Sequence, residues 1–145
     1  MNEHLISDLT RFVDERGITL SETEGHVALS IVRSEVSVSV LIPRLVLEWW
    51  VEVNDASSGR KIVDWCDYAG YDASTEQELS EDMRTDVMRF VENVVARPLR
   101  VVENGRILQW HVGGDWLQVV PLGADDEETL LTKTNVDGSA EPGPH

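Results

Sequence analysis

The sequence predicts an α+β fold: a mainly antiparallel sheet of six to seven strands with two helices, in the order α-β-β-β-β-α-β-β-β. Three observations carry that expectation. Two long segments repeat apolar residues every three to four positions, and seven short ones alternate them every second position. The breaks between neighbouring short segments are brief and rich in turn formers, which joins strands as hairpins rather than crossovers. No internal repeat accounts for the pattern, since the two helix-plus-strands halves do not match in sequence.

The elements follow in order. Residues 3–16 read as a helix, with Leu5, Ile6, Leu9, Phe12 and Val13 on one face, Asn2 as its cap and Gly17 as its left-handed stop. Val27, Leu29 and Ile31 then alternate with polar or small residues, as do Val36, Val38 and Val40, and Arg33-Ser34-Glu35 is the turn between them. Pro43 ends the second strand because it has no N–H to donate. Residues 45–53 form the clearest strand, with Leu45, Leu47, Trp49, Val51 and Val53 on one face and Val46, Glu48, Trp50 and Glu52 on the other. Residues 54–60 are loop chemistry, and residues 61–68 return as an antiparallel partner.

The second helix spans about 75–96. Leu79, Met83, Val87, Phe90, Val91, Val94 and Val95 make one apolar stripe. Ser74 with Gln77, or Thr75 with Glu78, fits a capping box, and Pro98 closes the helix. Three strands follow at 99–103, 106–112 and 115–120. Asn104-Gly105 supplies a two-residue hairpin signal and Gly113-Gly114 the second turn. This gives one globular domain over residues 1–122. Residues 123–145 lack periodicity, end in GSAEPGPH and read as an acidic, solvated tail.

Charge bounds the function more than any motif does. The chain carries 27 Asp+Glu against 12 Lys+Arg, a formal −15, yet 41% of its residues are hydrophobic, so this is a folded acidic domain and not a disordered one. Residues 46–86 hold a net −8 and residues 123–145 a net −5, while residues 87–122 are close to neutral. Such a field repels phosphate backbones and excludes nucleic acid as the expected partner, while it attracts basic proteins. A lone Cys66 excludes an internal disulfide and suits a reducing, cytoplasmic setting. The first residues, MNEHLISDLTRF, lack the basic and apolar regions of a signal peptide, and no apolar stretch is long enough to span a bilayer.

Catalytic and metal motifs are missing. His4, His26, His111 and His145 are never paired at ligand spacing, and neither Cys-x-x-Cys nor His-Glu-x-x-His occurs. The segment from Asp55 starts like a calcium loop but departs from that pattern at its third position, its glycine and its closing acid. Cys66 lies between aspartates, which oppose thiolate formation. Gly113-Gly114 has no helix start behind it to cradle a phosphate. The expectation is therefore no cofactor, no metal and no catalytic residue.

The tryptophans carry the remaining signal. Trp49 and Trp50 are adjacent on one strand and must point to opposite faces, so one enters the core and the other joins Glu48 and Glu52. An aromatic ringed by carboxylates suits a basic partner, because Trp is enriched at binding hot spots. The expected function is a non-enzymatic binding protein that engages a basic protein, with Glu48, Trp50, Glu52, Asp64 and Asp67 as its contact residues. Bacterial toxin-immunity proteins are a class of this general character. Two alternatives stand beside it: a small enzyme with an acidic site around Glu48, Glu52 and Asp64, and an oligomerisation or scaffold module using 115–120 or Val36–Val40 as an edge strand. The oligomeric state is not legible in the sequence.

Overall fold

The computed structural model describes residues 2–16, 18–68 and 75–122. Its order is α1 (Glu3–Arg16), β1 (Thr19–Glu22), β2 (His26–Arg33), β3 (Val36–Pro43), β4 (Glu48–Asp55), β5 (Arg60–Asp67), α2 (Glu76–Ala96), β6 (Leu99–Val102), β7 (Ile107–Val112) and β8 (Asp115–Val120). This is the α+β architecture with mainly antiparallel sheet that the alternation predicts. It contains one strand more than expected, the short, largely polar β1. The strands divide into two antiparallel sheets, β1-β2-β3-β4-β5 and β6-β7-β8.

Both sheets turn one face to a single core. The larger sheet contributes Leu29, Ile31, Val38, Val40, Trp49, Val51 and Val53, and the smaller one Leu108, Trp110, Val112, Leu117 and Val119. Helix α1 adds Leu5, Leu9 and Phe12, and α2 adds Leu79, Met83, Val87, Phe90, Val91 and Val94. Phe90 bridges the layers, its ring centroid 5.3 Å from that of Trp49 and 5.8 Å from that of Trp110. The helices are joined at their surface by Arg84, whose Nε donates to Asp8 Oδ2 at 2.5 Å.

Local chemistry sets the helix ends. Thr75 Oγ1 accepts from the Glu78 N–H at 3.1 Å while Glu78 Oε1 accepts from the Thr75 N–H at 2.8 Å, a complete capping box. At the other end, Arg97 is extended ahead of Pro98, as pre-proline sterics require. The last turn of α2 carries no base of its own, and β2 supplies one. Arg33 Nη1 donates to the carbonyls of Val94, Val95 and Arg97 at 2.5, 2.9 and 3.0 Å. Those carbonyls have no partner within the helix, and a cation is favoured where they concentrate negative charge.

Several boundaries differ from expectation. Strand β4 begins at Glu48, not at residue 45, and Leu45 is 74% exposed in the bend before it. Asn2 does not cap α1 with its side chain. Its Nδ2 donates instead to the carbonyls of Pro43 and Val46 at 2.6 and 2.9 Å, tying the chain start to that bend. The β6–β7 connection is a four-residue turn over 103–106, with Glu103, Asn104 and Gly105 all at positive φ. β3 pairs on both sides and is no edge; the edges are β1, β5, β6 and β8. Gly17, Ser74 and the tail over 123–145 lie outside the described residues.

Gly105 is where the two sheets' turns meet. Its φ of +85° is a conformation side chains rarely adopt, and a Cβ there would lie 2.7 Å from Arg60 Cδ and from Ser58 Oγ. Glycine therefore lets the β6–β7 turn close onto the β4–β5 turn. That turn is organised by the buried Asp55, whose Oδ2 accepts from the Ser58 hydroxyl at 2.7 Å and from the Ser58 N–H at 3.3 Å.

Candidate functional site

The site is built by the β4–β5 hairpin. Its register pairs Glu48 with Asp67, Trp49 with Cys66, Trp50 with Trp65, Val51 with Asp64 and Glu52 with Val63. Side chains alternate faces along each strand, so Trp49, Val51, Asp64 and Cys66 point inward while Glu48, Trp50, Glu52, Val63, Trp65 and Asp67 share the outer face. Burial follows the same division. Trp49 is 0% exposed and Cys66 is buried, whereas Trp65 is 51% and Val63 52% exposed.

Four of the five residues read from the sequence are therefore brought together: Glu48, Trp50, Glu52 and Asp67. Asp64 is the exception. It belongs to the inner-facing set, where its Oδ1 accepts from the Trp65 N–H at 2.8 Å and its Oδ2 accepts from the Leu122 N–H. Its carboxylate anchors the segment at Leu122 that follows β8, so it is a structural acceptor and not part of the outer acidic face. The parity of the hairpin decides this: Asp64 stands an odd number of residues from Asp67.

The sequence reading missed the partner of Trp50. Trp65 stacks on it across the ladder, with ring centroids 5.3 Å apart and planes at 28°. Trp50 Nε1–H donates to Glu48 Oε2 at 3.0 Å, which holds the indole against its strand neighbour. The cross-strand row continues through Leu41 to Ala28, since Trp50 pairs with Leu41 and Leu41 with Ala28. Three inter-strand steps make this apolar row about 14 Å long. The signal for it was present in the symmetric spacing of 48–52 and 63–67 about the 56–59 turn.

Carboxylates flank the row on both sides. Glu48 and Asp67 lie two residues away in one direction and Glu52 in the other, within the register already given. Lys61 Nζ is 3.6 Å from Glu52 Oε2, an exposed pair worth under about 1 kcal/mol. The face is acidic on balance, with a rigid aromatic pair at its centre.

The other surface tryptophan is differently placed. On the outer face of the smaller sheet, the Arg100 guanidinium lies 4.3 Å from the Trp116 ring and its Nε donates to Gln109 at 2.6 Å. The chain's own cation already occupies that aromatic face. Beneath the candidate site, Trp49 Nε1–H donates to Tyr68 Oη at 3.1 Å and the Tyr68 hydroxyl donates to Asp86 Oδ2 at 2.7 Å. Burial is the main cause that drives the Tyr68 phenol far above its ordinary pKa, and burial likewise raises the Asp86 carboxyl.

Among the described residues, surface grooves lie elsewhere at three places: at the hairpin ends, beside the start of α1, and between β5 and the β6–β7 turn. None of the three is lined by Glu48, Glu52, Asp64 or Asp67. Among the described residues, no group of three or more His, Cys, Asp or Glu side chains is placed to hold a metal ion, and no helix is long and apolar enough to cross a membrane. Comparison with protein-family models, with curated proteins and with solved structures finds no match to this chain.

Proposed function

We propose that this chain is a non-enzymatic binding protein whose working surface is the outer face of β4 and β5, and whose partner is a basic protein. The observation that carries the reading is the Trp50–Trp65 stack, open to solvent and flanked by Glu48, Glu52 and Asp67. A pre-stacked aromatic pair, with Trp65 half-exposed and Trp50 partly buried beneath it, gives a partner apolar contact area with little ordering cost. The surrounding carboxylates steer a basic surface toward it.

Two further points support the reading over its alternatives. Asp64 faces away from the outer carboxylates, so the acidic site of Glu48, Glu52 and Asp64 that the enzyme alternative requires is not assembled on one face. A second copy of a −15 chain would bring like charges together at this face, which favours a basic partner over self-association. Within this class, the finer reading is a bacterial neutralising protein of the toxin-immunity kind, acting from the cytoplasm. It rests on small size, acidity and the lack of catalytic motifs.

Affinity capture at low and high salt, followed by mass spectrometry, tests the proposal. Basic proteins retained at low salt and released at high salt support it. Capture of acidic or neutral proteins with no salt dependence contradicts it.

A further inference from the structure

We propose that the free edge of β5 at Lys61 and Val63 takes an extended peptide as a sixth strand of the larger sheet, with an apolar residue of the peptide opposite Val63 and an acid opposite Lys61. The proposal is independent of the partner reading above, because it uses the edge of the sheet and not its face.

Four strands are sheet edges, and three of them are blunted. β1 and β6 have four residues each, and β8 has six and runs into Pro121. β5 has eight residues, paired to β4 on one side and to no strand on the other among the described residues. The phase of the ladder decides which of its groups are open. The Tyr68 N–H donates to the Leu47 carbonyl at 3.1 Å, so Ile62, Asp64 and Cys66 turn their backbone groups to β4, while Lys61, Val63 and Trp65 turn theirs to the edge. The Trp65 N–H agrees, since it meets the Asp64 carboxylate and not β4.

The edge is closed toward Trp65 and open toward Lys61. Asp64 takes the Trp65 N–H at 2.8 Å on Oδ1 and the Leu122 N–H on Oδ2, which brings the segment after β8 against β5 there. The outward N–H and C=O groups of Lys61 and Val63 remain, and these two residues border a groove of about 390 Å³ that Gly105 and Arg106 also line. A row of unpaired backbone groups is a template for an added strand. Every pairing in this sheet is antiparallel. An antiparallel strand about 4.8 Å away sets one residue opposite Val63 and, two residues later, another opposite Lys61, each exchanging a pair of hydrogen bonds.

Side chains select the occupant. Val63 and Trp65 are both half-exposed on the outer face, and Trp65 stands diagonal to the position opposite Val63, so an apolar residue there covers both. Lys61 shares that face, and its one ion pair among the described residues is the 3.6 Å contact to Glu52, on the β4 side. An acid opposite it on the open side adds a cross-strand pair. Arg60 belongs to the other face of the strand and plays no part. The occupant is therefore a short apolar-x-acid segment, in which x stands opposite Ile62 and turns its own backbone groups away from β5.

Random dodecapeptides displayed on phage, panned against the full-length protein, supply the probe. The expected result is enrichment of apolar-x-acid sequences. A synthetic peptide of the enriched sequence is then measured by fluorescence anisotropy with one backbone amide methylated at a time. Methylation at the apolar residue and at the acid should each weaken binding about 10-fold or more, and at x less than about 3-fold, because only alternate amides face β5. Val63→Pro should weaken binding about 10-fold or more and Val63→Ala by less, since proline removes the edge donor and no bond to β4, whereas alanine keeps the donor. The methylation series uses the parent protein, so it is decisive even where Val63→Pro does not fold. Failure to enrich apolar-x-acid sequences would overturn the proposal. So would methylation effects without the alternation, or a folded Val63→Pro variant that binds like the parent. Enrichment of basic peptides that Trp65→Ala releases would also overturn it, while supporting the partner reading.

Discussion

Trp50 and Trp65 stack across the β4–β5 ladder with ring centroids 5.3 Å apart, directly above the buried Trp49–Cys66 pair of the same hairpin. The two layers of tryptophan do different work, and substitution separates them. Trp49→Ala removes a fully buried indole that touches Phe90 and donates to Tyr68, and should cost about 3–5 kcal/mol. Trp65→Ala removes a half-exposed ring and one aromatic pair, and should cost about 1–2 kcal/mol. Urea denaturation with both variants measures the contrast. Equal losses would mean that Trp65 serves the fold and not a surface.

Arg33 ties β2 to the end of α2, and its removal should be felt well beyond its own strand. Arg33→Ala leaves three carbonyls without their charged donor and should cost about 1–3 kcal/mol. Arg33→Lys should recover part of that, because all three bonds come from the one nitrogen Nη1 and an ammonium also offers three N–H groups, on a shorter stem. Chemical denaturation of both variants checks this. A loss below about 0.5 kcal/mol for Arg33→Ala would show that water replaces the guanidinium at no cost.

The predicted elements were legible wherever one residue period dominated. The stripe from Leu79 to Val95 located α2 to within a residue, and the alternation of Val36, Val38 and Val40 located β3. β1 escaped notice because Thr19, Ser21 and Glu22 are exposed and leave no apolar face to read. Leu45 was misassigned because alternation continued through it by chance, while the chain bends at 44–47 to meet Asn2. At the site, Glu48, Trp50 and Glu52 followed from the parity of one strand. Which face of β5 joins them depends on the pairing register of the hairpin, which a single strand does not encode, so Asp64 was grouped with Asp67 although parity separates the two, and Trp65 was overlooked. The Arg33 cap and the Arg60–Arg106 groove join residues far apart in sequence, and no local pattern announces them.

The Tyr68–Asp86 hydrogen bond gives a pH signature. Burial raises the Asp86 carboxyl above its ordinary value, more than the Tyr68 hydroxyl and the Arg89 charge lower it, with Asp82 adding to the rise. A raised folded-state pKa means the folded protein binds this proton more tightly than the unfolded chain does. The associated stability is present below the ordinary value of 3.8 and is lost as pH rises through the raised one. Asp86→Asn keeps an acceptor for Tyr68 and cannot ionise. Its melting temperature relative to the parent protein should therefore increase as pH rises from about 4 through the carboxylate range, then level off. A relative decrease over that range would contradict the burial argument.

The central claim is that the Trp50–Trp65 face binds a basic protein, and the most direct measurement is the association kinetics of the captured partner with three proteins: parent, E48K/E52K and W65A. The account predicts that E48K/E52K slows association about 10-fold or more at low salt, with the difference vanishing near 1 M. It predicts that W65A leaves association nearly unchanged and accelerates dissociation by about 30-fold, as loss of a central aromatic anchor should. Parent-like rates for both variants across the salt range would contradict it.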